Sequence, residues 1–163
     1  MKNNTSLLNK ITRQKETAVR PKILLQIALP VLLTGVPAQA ASYNFPGVLP
    51  AVCSVAPYSI NNYTCGILTL DDDDTITLTY PSTITFNGAF TTGKRNLINS
   101  DRLASDLTLV VNGALNVGEN STLIANVTGM DQVNIGANSK ILGAITATGT
   151  GGIVTIGNDV EVG

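Results

Sequence analysis

Two stretches of the sequence match each other without a gap: LNVGENSTLIANVT (115–128) and VNIGANSKILGAIT (133–146). The offset is 18 residues, and the apolar residues keep their places in the pairs Leu115/Val133, Val117/Ile135, Leu123/Ile141 and Val127/Ile145. Repeats of about 20 residues made of short strands are typical of stacked β-coils, in which neighbouring coils share one core. The match therefore predicts a β-solenoid with equivalent residues stacked above one another.

Further copies extend the repeat in both directions. A third copy begins with VTIGND (154–159), and a looser match pairs FNGAF (86–90) with VNGAL (111–115). Alternating runs such as TITLT (75–79) and LTLVV (107–111) place apolar residues on one face and mostly Thr on the other. This alternation predicts half-buried strands rather than helices.

The predicted corners of the coils contain Gly and Asn at repeating positions. Gly118, Gly136 and Gly157 are expected where the backbone needs a positive φ, which glycine adopts at little cost. Asn120 and Asn138 tolerate the same left-handed conformation.

An antiparallel β-sandwich is the alternative fold. Asn87-Gly88 and Asn112-Gly113 are flanked by alternating apolar residues, and such dipeptides favour two-residue hairpin turns. Hairpins, however, do not need a fixed translational repeat. We therefore predict an all-β chain that forms a short, single-stack β-solenoid.

The first 40 residues have the composition of an export sequence. They contain six of the ten basic residues and one acid, followed by an apolar run (23–33) and the small-residue segment GVPAQA (35–40). A basic region, a short apolar region and an Ala-x-Ala exit are the parts of a secretory signal peptide. The apolar run is shorter than the about 20 residues of a membrane-spanning helix. We expect no transmembrane segment and an exported protein at the cell surface, outside the cell or in the periplasm; an amphipathic first helix of a cytosolic protein is the alternative.

Beyond residue 40 the chain is acidic. Four basic and ten acidic residues remain, a net charge of −6, which argues against nucleic acid as a partner. We divide this part into a cap segment (41–66) and the β-solenoid repeats (67–163).

Cys53 and Cys65 lie in the predicted cap segment, close together in the sequence. A two-cysteine metal site would need further ligands, and the chain contains no His. In an oxidising compartment the pair would instead form a disulfide that closes a small loop. We therefore predict a disulfide-tied cap that covers the edge of the first coil, since an open solenoid end exposes strand edges.

Two polar clusters are candidates for chemistry. The run Asp71-Asp72-Asp73-Asp74 offers oxygen ligands to calcium but lacks the spacing of known calcium loops, so a solvated turn is the preferred interpretation. A second interval contains Lys94, Arg95, Asp101, Arg102 and Asp106. Its carboxylates are the only candidates for a carbohydrate-active β-helix enzyme, but their spacing resembles that of a solvated loop. We predict no catalytic residue, no metal and no cofactor.

One family shares several of these segments. YNFPGVLP (43–50) with Cys53, YTCGILTL (63–70), DTIT (74–77) and LTLVVNG (107–113) resemble the amino-terminal part of MshQ-like proteins. These large exported bacterial proteins are linked with the mannose-sensitive haemagglutinin type IV pilus. The resemblance implies a cell-surface or pilus-associated role in adhesion, although the long carboxy-terminal region of that family has no counterpart in this sequence. The Gly-Asn repeats alone also resemble those of polymer-forming bactofilins.

The expected function is therefore structural. The segment VEVG (160–163) stops partway through the third copy without a polar closing element, which would leave an open edge. We expect a stalk or stacking module that contacts other surface or pilus proteins or self-associates through that edge. A polymer-forming scaffold is the alternative.

Overall fold

The computed structural model describes residues 39–163, so the signal peptide predicted for residues 1–40 lies almost wholly outside the described part. This part consists of short strands and one 3₁₀ turn, Ala104–Asp106. In chain order the strands are β1 (Ser42–Phe45), β2 (Cys53–Val55), β3 (Asn62–Cys65), β4 (Leu68–Leu70), β5 (Thr75–Leu78), β6 (Ser82–Phe86), β7 (Phe90–Thr92), β8 (Leu97–Ile98), β9 (Leu107–Val111), β10 (Leu115–Val117), β11 (Thr122–Ile124), β12 (Asn126–Gly129), β13 (Val133–Ile135), β14 (Lys140–Leu142), β15 (Ile145–Ala147), β16 (Val154–Ile156) and β17 (Glu161–Val162).

Successive strands belong to three different sheets, and one passage through the three sheets forms a coil. Sheet A has the order β1-β5-β8-β11-β14-β17, sheet B the order β15-β12-β9-β6-β3-β2, and sheet C the order β16-β13-β10-β7-β4. Neighbouring strands are parallel, except that β2 pairs antiparallel with β3. The predicted β-solenoid is confirmed, with about five turns.

The 18-residue repeat is the step between two adjacent coils. Leu115 pairs with Val133, Leu123 with Ile141 and Val127 with Ile145, as the alignment of the two copies predicts. The looser match is also a coil step, because Phe86 pairs with Val111. The steps on either side are longer than 18 residues, at 21 for Val133↔Val154, 22 for Leu68↔Phe90 and 25 for Phe90↔Leu115.

The two Asn-Gly dipeptides are corners of the solenoid rather than hairpin turns, so the antiparallel alternative is wrong. Asn87-Gly88 connects β6 in sheet B to β7 in sheet C, and Asn112-Gly113 makes the same connection one coil later. The Asn112 Nδ2 donates to Asn87 Oδ1 at 3.4 Å, so the two corners stack directly. A corner between sheets uses the same turn residues as a hairpin, which is why the dipeptide alone does not distinguish them.

The expectation of a positive φ at Gly118, Gly136 and Gly157 was wrong. The left-handed residues lie two positions later in each coil: Asp73, Arg95, Asn120, Asn138 and Asp159, with φ between 55° and 66° for Asn138 and Asp73 as the extremes. The glycines are required by close packing instead. A Cβ on Gly136 would lie 2.6 Å from the backbone nitrogen of Glu119 in the preceding coil.

The core lies between the three sheets and is sealed at one end by aromatic rings. Phe45 and Tyr63 pack edge to face, with ring centroids 4.8 Å apart, and Phe86 stacks on Phe90 at 4.4 Å. All four side chains are buried. Residues 41–66 thus add β1 and β3 to sheets A and B and also close this end of the stack.

Candidate functional site

The two cysteines form the predicted disulfide. Cys53 on β2 lies directly opposite Cys65 on β3, with 4.0 Å between their Cα atoms. The bond ties the antiparallel strand β2 to the edge of sheet B, where it covers the first parallel strand, β3. Such an arrangement protects a strand edge that would otherwise expose unpaired backbone groups.

The four consecutive aspartates do not act as one cluster. Asp74 is buried, and its carboxylate accepts hydrogen bonds from the backbone N–H groups of Asp71 at 2.9 Å and Ala41 at 2.5 Å. Asp71, Asp72 and Asp73 are exposed. Asp74 therefore closes the turn that the other three acids form and is not directed to solvent with them.

Two of the exposed aspartates pair with the corner of the next coil. Arg95 donates through Nε to Asp73 Oδ1 at 2.7 Å and through Nη2 to Asp73 Oδ2 at 2.8 Å. The same guanidinium approaches Asp72 Oδ2 at 3.4 Å. The hydrogen bonds from Arg95 lower the pKa of Asp73 below its ordinary value.

A further ion pair extends this arrangement to a third coil. The Lys94 Nζ donates to Glu119 Oε2 at 2.8 Å, and this hydrogen bond raises the pKa of Lys94. We call Asp72, Asp73, Lys94, Arg95 and Glu119 the charged corner. Its charges largely compensate one another, so it links successive coils rather than presenting a field of one sign.

The calcium candidate, Asp71 to Asp74, is accounted for by these contacts. A calcium ion needs six to eight oxygen ligands that converge on one point. In residues 39–163 no group of three or more acidic or cysteine side chains is arranged to hold a metal ion. The carboxylates of Asp73 and Asp74 are instead occupied by Arg95 and by backbone N–H groups.

The second polar interval forms a loop between β8 and β9. Arg102 donates through Nη1 to the carbonyl oxygens of Leu78 and Thr79 at 3.1 and 3.0 Å, and through Nε to Asp106 Oδ2 at 3.1 Å. Asp101 lies on the rim of an open depression of about 630 Å³, lined also by Ser100, Arg102, Leu103 and Asp106. The Arg102–Asp106 pair therefore fastens the loop to the preceding coil. Lys94 and Arg95 belong to the charged corner and do not line this depression.

Sheet B presents an uncharged outer surface that sequence reasoning did not single out. The side chains that alternate with the core residues on its parallel strands form two columns, paired residue for residue between coils. We call them the threonine face, and its members are Asn62, Thr64, Thr83, Thr85, Thr108, Val110, Asn126, Thr128 and Thr146. None of these side chains is charged or aromatic.

The hydroxyl groups of this face differ from those of sheet A. Within residues 39–163 the six threonine hydroxyls of the threonine face have no protein hydrogen-bond partner, whereas those of Thr75, Thr77 and Thr79 all bond to β1. A hydroxyl is both a donor and an acceptor. The threonine face is therefore a regular array of groups that can bond to something outside the protein.

The last coil, formed by β16 and β17, has a different kind of exposed surface. Val154, Ile156 and Val162 are exposed, although Val133, Ile135 and Ile141 at the same positions one coil earlier are buried. Each of these apolar side chains faces the interior of the stack but has a neighbouring coil on one side only among the described residues. This edge is suited to bury further apolar surface.

Comparison with known protein families, curated proteins and solved structures gives no match to this chain. The residues that the structure describes include no helix with the length and apolar character needed to cross a membrane. The disulfide is compatible with an exported protein.

Proposed function

We propose that this chain is an exported structural protein of the cell surface whose β-solenoid serves as a stalk or stacking module in adhesion. The observation that supports this proposal best is the continuous stack of parallel coils around one core. A stack of this kind lengthens by adding coils without changing the interface between them, which suits an extended support. The resemblance to MshQ-like proteins adds a pilus-associated location to the proposal.

The contacts between coils support a mechanical role. Ion pairs of the charged corner and the side-chain bond from Asn134 Nδ2 to Asn116 Oδ1, 2.8 Å, cross from coil to coil. Ladders of such side chains stabilise flat sheets of many strands. The Arg102–Asp106 pair fits the same role, because it binds a loop to the coil beneath it.

Export is tested by the amino terminus and location of the protein made in bacteria. We expect Edman sequencing of the processed protein to begin at Ala41 and a membrane-impermeant biotin reagent to label it on intact cells. A protein that keeps residues 1–40 and is labelled only after lysis would contradict the proposal. A cytoplasmic marker protein in the same cells serves as the labelling control.

A polymer-forming scaffold is the alternative, and the exposed apolar edge of the last coil favours it. If coils of different molecules pair there, purified protein should form filaments visible by electron microscopy. The change Ile156→Lys, which places a charge among the inward side chains, should abolish them. The control Thr155→Lys alters the outward side of the same strand and should leave them intact. A protein that stays monomeric at high concentration would exclude this alternative and leave the stalk.

The proposal contains no catalytic step. Asp101 and Asp106 are the only carboxylates that the sequence suggests for glycoside hydrolysis, and Asp106 is bonded to Arg102. We expect no turnover of acidic or neutral polysaccharides by purified protein. Turnover that the double variant Asp101→Asn, Asp106→Asn abolishes, while its unfolding temperature is unchanged, would show that the chain is an enzyme.

A further inference from the structure

The threonine face has a fixed repeat in two directions. Neighbouring strands of a sheet are about 4.8 Å apart, and alternate residues of one strand are about 6.6 Å apart. The column Thr64, Thr85, Val110, Thr128 and Thr146 follows the first spacing over five coils, about 19 Å. The pairing continues from strand to strand without a bulge, so the array has no break. A surface that matches it must also repeat in two directions.

The side chains of this array are held rigidly. Threonine is branched at Cβ, which restricts χ1, and each one is fixed between the side chains above and below it. Val110, at a threonine position of the column, has the same branched shape with a methyl group in place of the hydroxyl. Because the groups are ordered before binding, little side-chain entropy is lost when a ligand docks. This favours a ligand that is itself rigid.

The chemistry of the face excludes most classes of ligand. Its outward side chains have no charge to attract an ion, a phosphate or an acidic polymer. It is a sheet surface rather than the concave pocket that encloses a small molecule. It offers no aromatic ring against which a base or a sugar ring could stack. What it does offer is hydroxyl groups that donate and accept, alternating with methyl groups.

We propose that the threonine face binds ice. Water at an ice surface is rigid, periodic in two directions and able to donate and accept a hydrogen bond at each lattice position. The threonine hydroxyls then continue the hydrogen-bonded lattice, and the methyl groups pack between its molecules. This activity does not depend on the stalk or scaffold role, because the face acts in a purified, isolated protein.

The test is partition of the purified protein between slowly growing ice and the remaining liquid. Thr85→Tyr and Thr128→Tyr each place a bulky ring in the middle of the face, and tyrosine keeps a high strand propensity. The matched control is Thr122→Tyr, because Thr122 is also a half-buried outward residue but lies in sheet A. Circular dichroism must show that all the variants keep their β-structure.

We expect the wild-type protein and Thr122→Tyr to concentrate in the ice, and each face variant to do so about ten-fold less. Growth inhibition of small ice crystals should follow the same order. Equal exclusion of the wild-type protein and the face variants from ice would overturn the proposal. Binding to crystalline cellulose that the face variants lose, without any effect on ice, would overturn it too and would assign the face to a polysaccharide.

Discussion

Ile141 and Val162 occupy the same position in successive coils, but their surroundings differ. Ile141 is fully buried, because β11 lies on one side of its strand and β17 on the other. Val162 on β17 is 55% exposed, since the described residues place a coil on one side of it only. The two side chains have similar chemistry and the same inward direction. In a β-solenoid, therefore, burial depends on having two neighbouring coils more than on the residue itself.

The other end of the stack shows how such an edge can be closed. There the antiparallel strand β2, tied by the Cys53–Cys65 disulfide, covers the edge of β3. The aromatic rings of Phe45 and Tyr63 fill the interior beneath it and are buried. The coils between the two ends (β7 to β15, the middle coils) need neither device. The following predictions test this contrast between the middle coils and the two ends.

The largest effect is expected from truncating the buried member of the pair. Ile141→Ala should lower the free energy of unfolding by about 2–5 kcal/mol, because it leaves a cavity between two coils. Val162→Ala should change it by about 0.5 kcal/mol or less, as for other surface substitutions. Urea unfolding followed by circular dichroism measures both. Equal losses would mean that another element covers Val162.

Removing the disulfide should make the closed end resemble the open one. The bond spans 12 residues, and opening a loop of this size is expected to cost about 3 kcal/mol. We expect the variant Cys53→Ala, Cys65→Ala to lose that amount in urea unfolding. Dithiothreitol should destabilise the wild-type protein equally and leave the double variant unchanged. A protein equally stable in both redox states would show that the aromatic contacts close this end without help.

The glycine column at the corners offers a matched pair of smaller changes. In Gly118→Ala the new Cβ would collide with the Gly93 carbonyl oxygen, and coils lie on both sides. We expect a loss of about 1–3 kcal/mol, typical of overpacking. In Gly157→Ala the Cβ would lie 2.7 Å from the Ala137 nitrogen, but the last coil can move away. Its thermal unfolding midpoint should fall less than that of Gly118→Ala, and a larger fall would contradict the contrast.

The smallest effect is expected at the charged corner and depends on pH. Because Arg95 lowers the folded-state pKa of Asp73, the pair adds stability above the unfolded pKa of about 3.9 and loses it as the pH falls through the lower, folded value. Arg95→Gln should therefore lose less stability on acidification than the wild-type protein. The measurement is the urea midpoint at pH 7 and at pH 2.5.

Asp73→Asn is the control for this pair, because it removes the titrating group itself. It should reduce the acid-induced loss as Arg95→Gln does, and the double variant should reduce it no further. Additive effects of the two changes would show that Arg95 acts through a different carboxylate.

The sequence predicted the stacked architecture and one coil step correctly, and the reason lies in the packing. Leu115 and Val133 must both be apolar because they lie one above the other, so stacking leaves a visible repeat. The 22- and 25-residue steps were harder to see. Their additional residues lie in the corners and in the loop before β9, where a change of length does not disturb the core. The Asn-Gly corners were ambiguous because a turn motif does not say which sheet the next strand joins.

The threonine face could have been found from the sequence only with the register of all the coils in hand. The alternation of Thr83, Ile84 and Thr85 shows that threonine points outward, but not which other threonines lie beside it. Thr85 and Thr128 belong to one column because two coil steps of different length separate them. The same holds for the pair of Asp73 and Arg95, which are 22 residues apart.

What the sequence by itself determined is the local pattern: short alternating strands, an 18-residue repeat, left-handed conformations at Asn120 and Asn138, and a pair of cysteines close enough to bond. The tertiary structure decided which residues become neighbours. It assigned the corner glycines to close packing instead of positive φ, paired the aspartate run with the next coil, and aligned the free threonine hydroxyls in columns. These contacts join residues about 20 positions apart, and their distances are set only when the coils stack, because no local preference of the chain specifies them.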